Sequence, residues 1–442
     1  MSAIIMAAQL LLALSILVGL HEAGHLFAAK MFGMRVEKFS IGFPPKIWGF
    51  QYGETEYSIG AVPLGGFVKI SGMIDESLDT KQLSAEPEPW EFRAKPAWQR
   101  LIVMLGGIIV NVITGIFIFV TMTYVIGEYY ISKEELNKDG IVAYSLGKEL
   151  GFETGDKILA VNGNEDFKSF RDAVSPDVIL SDNGSYTVQR GDEVLTLKIP
   201  SDFLDKYSDR KAEFISYRRR FEIGELNAEK GDAANAGLKV GDKIIETNGQ
   251  KVEFFDEFSK ILSENKSSNV SLKVLRENQT LDFNVNVNES GTIGFYVKSI
   301  LNESHDSFTF GESVSKGTAK AFDIVWVNLK AFKKMFTGQV SASKSISGPI
   351  GIARIFGDTF SWSKFWNITG LLSMVLAFMN LLPIPALDGG HVVFLTYEIV
   401  SGRKPSEKFM ENAQKVGMVL LLGLMVFAFG NDIYKLIVEQ LS

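Results

Sequence analysis

The chain opens on twenty residues, MSAIIMAAQLLLALSILVGL, that carry no charge, and it runs straight from them into HEAGH at 21–25. A helix needs about 20 mostly apolar residues to cross a bilayer. The opening therefore predicts a membrane span with two histidines and a glutamate at its inner end. No Lys or Arg precedes Lys30, and the apolar run is longer than a secretory h-region, so a cleaved leader is not expected. Three further stretches have the same character: 101–127, uncharged throughout, 365–387 continuing towards Tyr397, and 416–438. The expected fold class is a multi-pass α-helical membrane protein with four transmembrane helices.

Basic residues indicate the orientation. Lys30, Arg35, Lys38 and Lys46 follow the first span, Arg93, Lys95 and Arg100 precede the second, and Arg403, Lys404, Lys408 and Lys415 separate the third from the fourth. The positive-inside rule makes these loops cytoplasmic, so both termini and the long segment from about 128 to 345 face the other side. In a bacterium that side is the periplasm, and the membrane is the inner one.

Composition narrows the function. The 442 residues suffice for several domains, and 46% of them are hydrophobic. A net charge of −7 without a basic tract argues against a nucleic-acid partner. No cysteine is present, which excludes disulfides, thiolate metal sites and a catalytic thiol.

Between the second and third spans the chain repeats itself. GFETGDKILAVNG (151–163) and GLKVGDKIIETNG (237–249) agree at seven of thirteen positions, 86 residues apart, as two copies of one small domain do. Each places a Gly-Asp turn before an apolar strand and an Asn-Gly turn after it, with alternating strands such as SYTVQR and VSLKVLR beyond. The pattern resembles the PDZ domain, a small β-sandwich that can add a peptide to a sheet edge; two inert β-modules are the plainer alternative. The expected domains are 1–127, two spans with a cytoplasmic-side β-region; 128–222 and 223–300, the tandem PDZ-like pair; 301–345, a linker and amphipathic helix; and 346–442, the last two spans.

Residues 39–45 and 53–70 are rich in β-branched and aromatic residues and punctuated by Gly and Pro, so they predict a membrane-associated sheet in the cytoplasmic loop. The stretch 73–92 is acidic and Pro-containing, like a solvated connector. In 313–336, Ala321, Ile324, Val325, Leu329 and Phe332 fall at helical spacing opposite lysines. That fits a helix on the membrane surface or one packed against another domain.

The chemistry lies at the apolar ends. His21 and His25 are four residues apart, so on a helix they share a face and can share an ion. Two imidazoles and an oxygen ligand suit zinc, and Glu22 stands where it could take a proton from water. The alternative, two histidines at a membrane interface, is weakened because ionisable groups within a span are costly and usually functional. The best candidate for the oxygen ligand is Asp388, the only acid in MNLLPIPALDGGH (379–391). Pro383 and Pro385 should break the helix there, leaving carbonyls that lipid cannot satisfy. His391 could approach the same metal but is read as structural, and His305 lies in a polar stretch with no expected role.

HEAGH, NLLPIPALDGG, SGPIGIA (347–353) and the paired repeats together resemble the site-2 protease family of intramembrane zinc metalloproteases, over essentially the whole chain. The resemblance implies one zinc per chain held by His21, His25 and Asp388, with Glu22 as catalytic base and Asn380, Pro383 and Pro385 helping to hold substrate. It also implies that Gly42 and Phe43 belong to a membrane-dipping loop, and that Tyr57, Ile59, Gly65 and Gly66 belong to a sheet whose edge clamps the substrate strand. The implied partners, besides the lipid bilayer, are single-span membrane proteins: an anti-sigma factor after a first cut, or remnant signal peptides. The site would lie near the cytoplasmic side. Relatives often carry Gly-Pro and then Asn early in the second span, where this chain has Gly106, Gly107 and Asn111. Two rival readings are a non-catalytic PDZ-bearing membrane adaptor with a vestigial metal site, and a metal transporter. Neither accounts for an intact set of ligands and base beside a β-rich loop.

Overall fold

The computed structural model describes residues 2–73, 86–208, 213–227 and 231–441. The chain divides into two compact units, one of Met1–Gly127, Ser307–Lys333 and Ala342–Ser442, the other of Glu128–Asp306 and Lys334–Ser341.

In the first unit, helix α1 (Ser2–Met31) and helix α2 (Ala97–Ile126) are uninterrupted. No proline falls inside either, and Gly24 of α1 and Gly106 of α2 sit where the two backbones meet. Between them lie strands β1 (Val36–Tyr52) and β2 (Thr55–Ile70). Their register shows more than a plain hairpin, since Phe39 pairs with both Val68 and Tyr57, and Ile41 with both Gly66 and Ile59. Both strands fold back on themselves. The result is four antiparallel segments in the order 46–52, 55–60, 36–41, 66–70, with 66–70 at one edge. The turn in β1 begins at Gly42, whose φ of 90° favours glycine. Most of the acidic connector, residues 74–85, lies outside the described residues; its end leads to Phe92, buried beneath Arg100.

Helix α3 (Phe310–Phe336) packs Ala321 against Phe119 and Met374, and Gly317 brings it onto the α2 backbone at Val120. Part of its apolar face is thus spent on packing, while Phe322, Trp326 and Leu329 stay exposed. Helix α4 (Pro349–Phe356) follows, and both its Gly348 and Gly351 N–H groups donate to the buried Asp432 carboxylate, at 3.0 and 2.8 Å. Helix α5 (Trp362–Leu381) then stops before Pro383, and helix α6 (Asp388–Ser401) starts after Pro385. Helix α7 (Glu407–Leu441) completes the unit. Among the described residues three helical stretches are long and apolar enough to cross a membrane: Ser2–Met31, Ala97–Ile126 and Lys408–Val438. The apolar segment expected to continue from 365 towards 397 is divided between α5 and α6, and the break shortens each. Helices α1, α5 and α6 all pack against α2, which makes α2 the scaffold of the site.

The second unit holds two hydrophobic cores. One gathers Ile141, Ile158, Tyr186 and Val188, the other Ile223, Ile244, Val270 and Val285. The sequence repeat reappears as repeated contacts. Arg190 donates from Nε and Nη2 to the Asp156 carboxylate (2.9 and 2.8 Å) and from Nη2 to the Gly151 carbonyl (2.7 Å). Exactly 86 residues on, Arg276 does the same to Asp242 (2.7 Å twice) and Gly237 (2.9 Å). Both Asn-Gly pairs turn with positive φ, at Asn162 and Gly163 and at Asn248 and Gly249, the requirement of a tight hairpin turn. His305 sits in a short strand, Ser304–Asp306, with its ring stacked on Tyr129 at 4.2 Å.

Candidate active site

Helical spacing on α1 sets His21 and His25 on one face, their ring centroids 4.8 Å apart and nearly perpendicular. Both are buried, at 9% and 7% exposure. Their Nε2 atoms approach to 3.2 Å. Asp388, the first residue of α6, brings its Oδ2 to 3.1 Å from His21 Nε2 and 3.3 Å from His25 Nε2.

The Asp-Gly-Gly sequence is required by the turn that delivers this carboxylate. A Cβ on Gly389 would stand 2.2 Å from the Leu382 carbonyl oxygen, and one on Gly390 would stand 2.6 Å from Pro385 Cα. Only glycines let α6 fold back so tightly on the end of α5. Ala386, just before, holds a φ of 94°, a left-handed conformation that costs a non-glycine residue on the order of 1–3 kcal/mol. The packing around the turn sustains that strain.

The three converging atoms fit a cation. Asp388 Oδ2 is buried without a hydrogen-bond partner despite its two close nitrogens. The Val103 carbonyl, 2.8 Å from His25 Nδ1, can only accept, so the His25 proton sits on Nδ1 and its Nε2 presents a bare lone pair. Metal–ligand bonds of about 2.0–2.1 Å in a tetrahedron give edges of roughly 3.3–3.4 Å. The observed spacings of 3.1, 3.2 and 3.3 Å match that frame. Two imidazoles and a carboxylate, with a fourth position open, are a zinc donor set.

A cavity of about 650 Å³ surrounds these atoms. Glu22, Phe43, Gly65, Gly66, Asn380 and His391 line it, together with the edge strand through Ile70. The Val68 backbone N–H is within hydrogen-bonding reach of the Glu22 carboxylate. Asn380 Nδ2 lies 3.4 Å from His21 Nε2. Gly42, Tyr57, Ile59, Pro383 and Pro385 are not among the residues lining the cavity. Gly42 marks the bend of β1, Tyr57 accepts a hydrogen bond from Lys30 Nζ at 3.0 Å in an inner segment of the sheet, and Ile59 is exposed. The two prolines sit in the turn before Asp388.

Several residues around the site were named in the sequence without being given a role in it. Gly107 faces both rings, and a Cβ there would stand 2.5 Å from His21 Cε1 and from His25 Nε2. The buried Asn111 puts Nδ2 3.2 Å from His21 Nδ1. Arg100, buried in α2, pairs with Glu398 of α6 at 2.5 Å. Polar residues in an apolar helix, and glycines at helical spacing within it, were the available signals.

The family model for peptidase family M50 matches residues 9–424. A Haemophilus influenzae protein named "Regulator of sigma E protease" is 31% identical, covering 96% of this chain and 98% of the relative. A Vibrio cholerae protein named "Putative zinc metalloprotease" is 29% identical over 96% and 98%. A Salmonella typhimurium protein named "Regulator of sigma-E protease RseP" is 29% identical over 97% and 98%. With such coverage on both sides, the chain belongs to peptidase family M50, the membrane-embedded site-2 proteases, and is a zinc metalloprotease.

Proposed function

We propose that this protein cuts peptide bonds within transmembrane segments of single-span membrane proteins, with His21, His25 and Asp388 holding zinc and Glu22 acting as general base. The observation that carries this reading is the convergence of His21 Nε2, His25 Nε2 and Asp388 Oδ2 at tetrahedral spacing beside Glu22. Bound zinc supplies Lewis acidity that polarises the scissile carbonyl and makes water acidic enough to attack near neutral pH. Glu22 takes the proton of the attacking water and delivers it to the leaving nitrogen.

A transmembrane helix must first unwind, because its own hydrogen bonds shield the bond to be cut. Its freed backbone groups then need partners that lipid does not offer. The 66–70 edge, which lines the cavity, supplies them by strand addition, and the Asn380 amide adds a further contact. Phe43 packs its ring over Gly65 at the same wall and contacts the side chains of the bound segment. Gly42, Tyr57 and Ile59 act less directly, by shaping and carrying this sheet, and Pro383 and Pro385 by holding the turn that aims Asp388.

The remaining architecture follows the same reading. Helix α5 with the start of α6 forms a fourth span, its broken turn tolerated because it lines a cavity. The two repeats are PDZ-like domains at 128–222 and 223–300, periplasmic in a bacterial inner membrane, with the site near the cytoplasmic face. They restrict cleavage to substrates already trimmed outside, an anti-sigma factor being the first substrate class and remnant signal peptides the second; relatives named as regulators of sigma E support a place in that pathway.

Glu22→Gln in the purified full-length protein tests the assignment against a model transmembrane substrate. Cleavage should fall by about 10²–10⁴-fold while zinc remains bound. Undiminished cutting would remove Glu22 from the role of base.

A further inference from the structure

One stripe of α2 faces the paired histidines. Val103, Gly107 and Asn111 recur at four-residue intervals, so they lie in line on a single helix face. Val103 lends its carbonyl to His25 Nδ1, Gly107 leaves room for both rings, and Asn111 meets His21 Nδ1. Val103 and Asn111 thus touch the Nδ1 side of each imidazole, away from the nitrogens that converge on Asp388, while Gly107 packs beside both rings.

The Asn111 side chain has one unmatched atom. Its Oδ1 is buried without a partner, while its Nδ2 faces His21 Nδ1 at 3.2 Å. An amide oxygen and nitrogen are interchangeable by a half-turn of the side-chain amide, and which one faces the ring decides the histidine tautomer. If the NH₂ group faces Nδ1, that nitrogen must be bare and the proton sits on Nε2, where a metal cannot bind. If Oδ1 faces Nδ1, the proton is held on Nδ1 and Nε2 is free to ligate. Asn111 is itself anchored, because Ser373 of α5 donates its hydroxyl to the Asn111 carbonyl at 2.7 Å.

We propose that Asn111 is a positioning residue for the metal: its Oδ1 accepts from His21 Nδ1–H and fixes His21 in the tautomer that ligates through Nε2. Val103 does the same for His25 through its backbone, which no side-chain substitution can remove, so Asn111 is the adjustable half of the pair. A metal-ligating imidazole with a fixed outer partner binds about 10–100-fold more tightly than one without. The inference rests on the reading of His21 as a zinc ligand.

The test compares wild type, Asn111→Leu and Asn111→Asp as full-length protein in detergent, following zinc release to a chelator, with thermal unfolding as a check on folding. Leucine keeps the branched shape and heavy-atom count and removes the acceptor, so zinc affinity should fall by about 10–100-fold. Aspartate keeps an acceptor and has no donor, so zinc retention should stay within a few-fold of wild type even though a buried charge has been added. Leucine that holds zinc as well as asparagine would overturn the proposal, as would an aspartate variant that folds but loses zinc as leucine does. If aspartate prevents folding, ¹⁵N-histidine spectra of the zinc-loaded wild type decide instead. The His21 signal, assigned by its loss in His21→Gln, should show a protonated Nδ1, and a bare Nδ1 would refute the idea. Wild-type protein that binds no zinc, or binds it equally well after His21→Ala, would instead defeat the underlying ligand assignment.

Discussion

Gly24 of α1 and Gly106 of α2 meet backbone to backbone. A Cβ on Gly24 would stand 2.4 Å from the Gly106 carbonyl oxygen, and a Cβ on Gly106 would stand 2.6 Å from that of Gly24. Small residues at such a crossing let helices in a membrane approach closely. Here the approach also sets how deeply the histidine face of α1 presses onto α2. Gly24→Ala should force the two helices apart, at a cost of about 1–3 kcal/mol for overpacking, and draw His25 Nδ1 away from the Val103 carbonyl. The expected result is a lower unfolding temperature together with faster loss of zinc to a chelator. Wild-type values for both would show that the crossing does not hold the site.

Gly66 plays a comparable part on the other side of the cavity. A Cβ there would lie 3.1 Å from Glu22 Cγ and 2.7 Å from the Ser40 carbonyl oxygen. Gly66→Ala therefore displaces the carboxylate of the base or bends the edge strand, without reaching Asp388. Misplacing a catalytic group by about 1 Å can cost on the order of a hundredfold in rate. The variant should keep its full zinc content and lose kcat, measured on a transmembrane substrate. Loss of zinc alongside the rate would mean that Gly66 supports the metal cluster instead.

The parts of the site legible in the sequence were those written in local spacing. HEAGH at the end of an uncharged twenty-residue run placed two imidazoles on one face, and two prolines before Asp388 announced the broken turn that bares it. The 86-residue repeat extended beyond the matched motif to the Arg190 and Arg276 contacts, each 34 residues past its aspartate. What stayed hidden depends on register and on distant partners. Nothing in the alternation of 36–70 reveals that 36–41 is paired on both sides, because a strand flanked twice reads like one flanked once. The Arg100–Glu398 pair joins residues 298 apart, and neither carries a local sign of the other. Asn111 was visible as a polar residue in a span, yet its orientation towards His21 follows only from the α1–α2 crossing.

Asp242 links the second repeat to acid sensitivity. Burial pushes its carboxyl up, but the Arg276 guanidinium and the Lys239 backbone N–H, which donates at 2.8 Å, hold it below the usual carboxylate range. A carboxyl whose folded-state pKa lies below its unfolded value, about 3.9, stabilises the fold above that pH. The contribution fades as pH falls through the folded-state value. Arg276→Gln should therefore destabilise the second core by about 1–3 kcal/mol at neutral pH, since it leaves a buried acceptor short of a donor. In the variant the loss on going to pH 3 should be smaller than in wild type, because less stabilisation remains to be titrated away. Amide hydrogen exchange in strands 243–247 and 269–276 of the full-length protein reads both effects. Arg190→Gln, at the matching position of the first repeat, should leave those amides unchanged and loosen 157–161 and 185–190 instead. Equal exchange in wild type and Arg276→Gln at neutral pH would show that the ion pair is not what holds this sheet to its Gly-Asp turn.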